Sequence, residues 1–234
     1  MIPAKPQPQS EPFYEGADSP SLARRALGEC VATAGLTMAV VLSVQATWLG
    51  PLRPLALGLG VPAAVAALVL SFGPATGGHF NPLVTASQWA RGHRDTRCLI
   101  AYVCAQLAGA LAGAGAAALL IGPMPQAASA PMGLVIGSEI FASAGLVTIV
   151  LAASLVMGPR IGLLALTGWL VMINLVAPAG PFANPVLALA APLALGAFDT
   201  PMILVHVAAE FVGAGLALLI IAVIYPRVAP IDSA

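Results

Sequence analysis

Charge is what this sequence has least of. Only 8% of its 234 residues are Asp, Glu, Lys or Arg, where a soluble domain carries about a quarter. So few ionic groups cannot cover a water-facing surface, which excludes a soluble globular domain. The nine basic and nine acidic residues cancel, so bulk electrostatics predicts no nucleic-acid partner. Cysteine is scarce as well. Cys30, Cys98 and Cys104 lie in apolar or basic helical settings without metal-ligand spacing, and read as small core residues. No nucleophile–base pair or metal cluster stands out, so the chain reads as no enzyme and calls for no cofactor or metal. The first 21 residues lack the apolar middle of a signal peptide. Rich in proline and polar groups, they read as a disordered tail.

What is there is hydrocarbon: 59% hydrophobic residues and a mean hydropathy of +0.96. An integral membrane protein follows. Crossing a bilayer takes about 20 residues at about 1.5 Å each. Six stretches reach that length, roughly Leu27–Thr47, Ala56–Phe72, Leu99–Ile121, Gly133–Met157, Ile161–Ala177 and Met202–Tyr225. Asn81–Ala90 and Asn184–Leu195 are apolar but reach only halfway across the ~30 Å hydrocarbon layer. With six alternating spans, Arg24, Arg25, Arg91, Arg94, Arg97, Arg160 and Arg227 share one side, and only Arg53 lies opposite. The positive-inside rule then puts both termini in the cytoplasm.

The two halves of the chain repeat. "GECVATAGL" (Gly28–Leu36) matches "SEIFASAGL" (Ser138–Leu146), pairing Glu29 with Glu139. "HFNPLV" (His79–Val84) matches "FANPVL" (Phe182–Leu187) at Asn-Pro, and "AQLAGA" (Ala105–Ala110) matches "AEFVGA" (Ala209–Ala214). The offsets run from 103 to 110 residues, so order and spacing are kept. Three spans per repeat is an odd number, so the second copy enters from the opposite face. That is an inverted repeat about an axis in the membrane plane.

Proline is favoured at the first position of a helix and asparagine at its cap. Asn81-Pro82 and Asn184-Pro185 are therefore helix starts, each opening a half-length apolar segment. Irregular backbone at this depth survives only in protein or beside a wet cavity. Two helix N-termini meeting at the midplane bring two positive dipole ends together. The Asn81 and Asn184 amides then offer N–H groups to a passing solute, while cations are repelled and a proton-conducting water chain is broken.

In these features the sequence resembles the major intrinsic protein family, the aquaporins and aquaglyceroporins. "SFGPATGGHFNPLVTA" resembles that family's first Asn-Pro-Ala loop, "AYVCAQLAGALAGA" its third helix and "PFANPVLALA" its second such loop. The resemblance runs from about Arg24 to Tyr225. It implies an all-α membrane protein of six transmembrane helices and two re-entrant half-helices, assembled as a homotetramer with one pore per subunit. The channel domain would span 22–228, with repeats of about 24–121 and 132–225 and a short tail at 229–234. It implies a multi-pass protein of the cell's inner (plasma) membrane that passes small neutral solutes.

The departures from the family pattern bear on the solute. Its Asn-Pro-Ala reads Asn81-Pro82-Leu83 in the first loop and Asn184-Pro185-Val186 in the second. Leu83 and Val186 are bulkier than alanine where the half-helix tips pack. The family's arginine at the outer constriction is replaced by Leu187. Ungapped spacing carries the other three constriction positions onto Val61, Met172 and Pro181. Such a ring offers water no side-chain replacement for its lost hydrogen bonds, each worth about 1–3 kcal/mol. It favours neutral solutes with apolar or polarizable surface: trivalent arsenic or antimony hydroxides, methylated arsenicals, small polyols, ammonia and dissolved gases. "LARRALGE", "HFNP" and "FANP" resemble a bacterial branch linked to arsenic resistance. There the second loop reads Asn-Pro-Ala-Val-Thr, where this chain has Leu187 and Ala188 for the last two.

Other polar residues are weighed singly. Acids inside a membrane are costly and mark function or bracing. Glu29 and Glu139 read as acceptors for the backbone N–H groups of the half-helix loops, with proton coupling as the other reading. Gln106 reads as a further brace, and Glu210, at the matching place, either braces or holds a proton. His79 reads as lining of the inner pore, His206 as a satisfied core histidine and His93 as solvated. Trp48 reads as an interfacial anchor. Gly109, Gly113, Gly213 and Gly215 read as points of close helix contact. The leading functional reading is a passive channel. The alternatives are a proton-coupled transporter using Glu139 or Glu210, and a non-conducting structural protein.

Overall fold

A computed structural model describes residues 20–225 except 122–129, 178 and 198, and leaves out the side chains of 47–49, 53, 157 and 159. The tail expected at 1–21 lies almost wholly outside the described residues. The one at 229–234, Arg227 and the side chains of Trp48 and Arg53 lie outside them too.

The described chain is helical, with eight principal helices. They are α1 (Leu22–Val44), α2 (Val61–Thr76), α3 (Pro82–Ala90), α4 (Thr96–Ile121), α5 (Met132–Ala152), α6 (Pro159–Val176), α7 (Pro185–Ala194) and α8 (Thr200–Ile224). Five segments, which contain α1, α2, α4, α5 and α8, are long and apolar enough to cross a membrane by length and composition. The sixth, α6, has 18 residues and so reaches about 27 Å at the usual helical rise. At 9 and 10 residues, α3 and α7 span about 14–15 Å each, half a bilayer.

Helix ends differ from the sequence expectation by a few residues. The first helix starts at Leu22 rather than Leu27, because exposed Arg24 keeps its head in water while its stem lies along the helix, and Arg25 turns toward Cys98. The second span was expected to end at Phe72, and it runs through Pro74 to Thr76. A π-turn, Ala56–Gly60, feeds α2, and another, Ala153–Met157, closes α5. Such local unwinding leaves no mark in apolar periodicity.

Small residues set the helix spacing. α1 lies along α4, and α5 along α8. A Cβ on Gly109 would overlap the Cys30 carbonyl, one on Gly113 the Ala34 carbonyl, and one on Gly213 the Ile140 carbonyl. These backbones touch because no side chain intervenes, the packing on which membrane helices rely. Gly215 departs from the expectation: nothing stands within 4 Å of its missing Cβ. One helical position is 100° of turn, so the residue two places beyond Gly213 faces elsewhere. The α1–α4 half and the α5–α8 half carry the same sequence of long helices, half-helix and closing helix, as an inverted repeat demands.

Candidate functional site

The two half-helices begin at the same place. Asn81 and Asn184 precede α3 and α7 in extended backbone, and Pro82 and Pro185 open the helices. The Asn81 amide donates from Nδ2 to the Ala183 carbonyl at 2.7 Å, and the Asn184 amide donates from Nδ2 to the Phe80 carbonyl at 2.9 Å. Each tip is thus stitched to the loop of the other repeat. An amide nitrogen carries two N–H groups, so one remains on each asparagine after this bond. Both residues line a cavity of about 150 Å³.

The caps themselves are unequal. Asn81 Oδ1 accepts from the Leu83 N–H at 2.9 Å, as an N-cap should. Asn184 makes no side-chain cap. Its Oδ1 is buried without a partner among the described residues, and its backbone N–H is turned to Glu210 Oε1 at 2.8 Å. The expected second cap is corrected accordingly: a carboxylate from α8 holds this helix start, and the Asn184 side chain caps no N–H of its own helix.

The residue before each asparagine is left-handed, Phe80 at φ 48° and Ala183 at φ 49°. A non-glycine residue there costs about 1–2 kcal/mol. The turn sends successive N–H groups one way and the carbonyl the other. His79 and Phe80 donate to the two Glu29 oxygens at 3.1 and 2.7 Å. Phe182 and Ala183 donate to the two Glu139 oxygens at 2.9 Å each. The carbonyls of Phe80 and Ala183 are the acceptors of the asparagine amides. Neither glutamate has exposed surface, and a buried carboxylate is tolerable only with such partners. Gln106 adds a donor to Glu29 at 2.8 Å and to Thr85 Oγ1 at 3.0 Å. His206 Nδ1 adds one to Glu139 at 2.6 Å.

Leu83 and Val186 are both buried, in separate apolar clusters. Leu83 is fully buried in a cluster with Ala142, Leu146 and Ala214. Val186 sits with Ala110 and Ala114. Each shares its cluster with residues of the other repeat.

The cavity has a polar line and aliphatic walls. The line is made by the loops at Gly78–Asn81 and Gly180–Asn184, and the walls include Val61, Val65, Leu146, Val150, Leu166, Leu170 and Leu187. Among the described residues, no lining side chain is an acid, lysine or arginine. Of the four residues placed at the outer constriction, Val61, Pro181 and Leu187 line the cavity together. Met172 does not; it packs partly buried against the core between the helices. The face of α6 that lines the cavity is Leu166, Trp169, Leu170 and Ile173, an i, i+3, i+4, i+7 stripe. Ungapped counting fell one position short of Ile173 on that stripe. His79 lines the cavity with Nδ1 on Thr85 Oγ1 at 3.0 Å and its ring edge-on to Tyr102.

Two lining residues that carry a polar group, Trp169 and Asn174, were not singled out from the sequence. Trp169 anchors its indole N–H on the Ala142 carbonyl at 3.1 Å and stands over Gly145, where a Cβ would overlap the ring. Asn174 spends Nδ2 on the Leu170 carbonyl at 2.8 Å. The periodic stripe on α6 and an amide in an apolar span were the available signals.

Residues 17–225 match the sequence profile of the family described as Major intrinsic protein. The chain belongs to that family. It is 35% identical over 178 residues to aquaglyceroporin AqpS of Rhizobium meliloti (strain 1021), covering 72% of this chain and 75% of that protein. Its fold matches the X-ray structure of the aquaglyceroporin from Plasmodium falciparum with a TM-score of 0.71, over 88% of this chain and 98% of the other, at 22% identity. As a major intrinsic protein the chain is an integral membrane protein and a passive channel for small neutral solutes. Membership of a channel family, not one of enzymes, disfavours the transporter and structural readings.

Proposed function

We propose that this channel passes small polyols and trivalent metalloid hydroxides, and that the 150 Å³ cavity between the loops is its pore. The observation that carries this is the outer part of the wall, where Leu187 stands with Val61 and Pro181 and, among the described residues, no acid, lysine or arginine lines the passage. A solute there keeps hydrogen bonds on one side only, with the loop backbone. Molecules with one polar and one apolar or polarizable face lose least, whereas water loses partners at about 1–3 kcal/mol each. The relative AqpS and the Plasmodium structure are both named aquaglyceroporins, which agrees with a solute larger than water.

In this reading Asn81 and Asn184 are the midplane donors, placed by Pro82 and Pro185, with Leu83 and Val186 as spacers. Glu29, Glu139, Gln106 and Glu210 brace the loops, and His79 lines the inner end. The outer ring is Val61, Pro181 and Leu187, with Trp169 and Ile173 taking the part first given to Met172. The channel sits as a homotetramer in the inner membrane with both termini cytoplasmic. Support for the sidedness is the arginine asymmetry, with Arg53 alone on the outer side. Exposed Leu27, Leu70, Leu119, Leu204 and Val223 suit contact with lipid or neighbouring subunits.

Light scattering from proteoliposomes tests the reading. Glycerol and arsenous acid should cross faster than in protein-free vesicles, with flux linear in concentration and unchanged when a proton gradient is dissipated. Saturable uptake, or no acceleration for either solute, would overturn it.

A further inference from the structure

The two repeats hold their loops with different chemistry. In the first, the neutral Gln106 donates to Glu29 and Tyr102 donates its hydroxyl to the Thr76 carbonyl at 2.6 Å. At the matching places in the second repeat stand Glu210 and His206. There two carboxylates, Glu139 and Glu210, grip three successive N–H groups, those of Phe182, Ala183 and Asn184. His206 takes over the donor's part on Glu139.

We propose that His206 and Glu210 are positioning residues for the outer pore loop, and that a proton shared with Glu139 sets how firmly that loop is held. The inference rests on the channel reading above. Its geometry is an unfinished hydrogen-bond set. Glu210 Oε2 and Asn184 Oδ1 are both buried acceptors with no partner among the described residues, on two residues already joined through the Asn184 N–H. A proton on Glu210 supplies the missing donor. It also turns a carboxylate into a neutral acceptor, and charge-assisted hydrogen bonds are roughly twice as strong as neutral ones. The proton therefore weakens the bond from the Asn184 N–H but adds one to Asn184 Oδ1, which re-sets the amide that faces the cavity.

The proton has a way in. Glu139 and Glu210 have no exposed surface, but the His206 side chain keeps 13%. Its ring meets Phe182 edge-on at 5.3 Å, and Phe182 lines the cavity. Among the described residues nothing else titratable faces the cluster. On α5 it meets only Glu139; α3, α7 and the loop 179–184 carry no titratable side chain; along α8 the nearest is Asp199 at its N-terminal cap, about two turns from His206.

Glycerol flux into proteoliposomes, with equal pH on both faces, should fall about fivefold or more between about pH 8 and about pH 5. Glu210→Gln copies the residue of the first repeat and should flatten that profile, as should His206→Gln. A wild-type profile that is flat over the range overturns the proposal without any variant. So does a fall that survives both substitutions, or one removed only by His79→Gln. Absence of glycerol flux at every pH would instead bring down the channel reading, and this one with it.

Discussion

Glu29 holds the inner loop through three donors at 2.7–3.1 Å. Glu29→Gln would turn an N–H toward backbone N–H groups and remove the charge from the bonds that remain. A loss of about 3 kcal/mol is expected, read as an earlier thermal transition in detergent. Leu187 calls for the opposite kind of test, since its change adds a charge to the passage. Leu187→Arg should cut glycerol flux about tenfold, a barrier rise of about 1.4 kcal/mol, and reduce water flux less. Unchanged selectivity would put the constriction elsewhere. Much of this was legible residue by residue, because an amide or acid in an oily span is conspicuous and the repeat supplied its partner. The position on α6 was not legible: a one-residue slip moves a side chain 100° around a helix, and apolar spans offer no polar landmark to correct it. The unequal caps were also hidden, since two Asn-Pro pairs look alike until Glu210 is seen on Asn184.

Among the elements, the closest contacts are between α1 and α4 and between α5 and α8. Gly109→Ala or Gly113→Ala must push α4 away from α1, costing about 1–3 kcal/mol as overpacking does. Gly215→Ala meets nothing and should gain up to about 1 kcal/mol from helix propensity. Differential scanning of the three purified variants checks the contrast, which would fail if Gly215→Ala were as harmful as Gly109→Ala. Six spans and two half-spans followed from length and hydropathy because a bilayer imposes its thickness. Their ends did not, because arginine stems extend a helix past its apolar part and a π-turn keeps the same composition. The four glycines looked equivalent by spacing, yet only the three that face a neighbouring backbone are pinned.

At the scale of the molecule, two helix N-termini face one cavity and, among the described residues, no carboxylate lines it. That arrangement repels cations. Planar bilayers containing the purified channel should carry no sodium or proton current above the lipid background, while the same preparation passes glycerol in vesicles. A cation current would mean that the dipole ends do not govern the passage. The cross-stitching of the tips, Asn81 to Ala183 and Asn184 to Phe80, has a further consequence. Each half lacks the carbonyl that finishes its own asparagine and must borrow it from the other. A polypeptide of half this length could therefore never build a working filter alone. If the chain arose by gene duplication, its ancestor had to insert in both directions and work as an antiparallel dimer, and fusion made permanent a partnership that already existed.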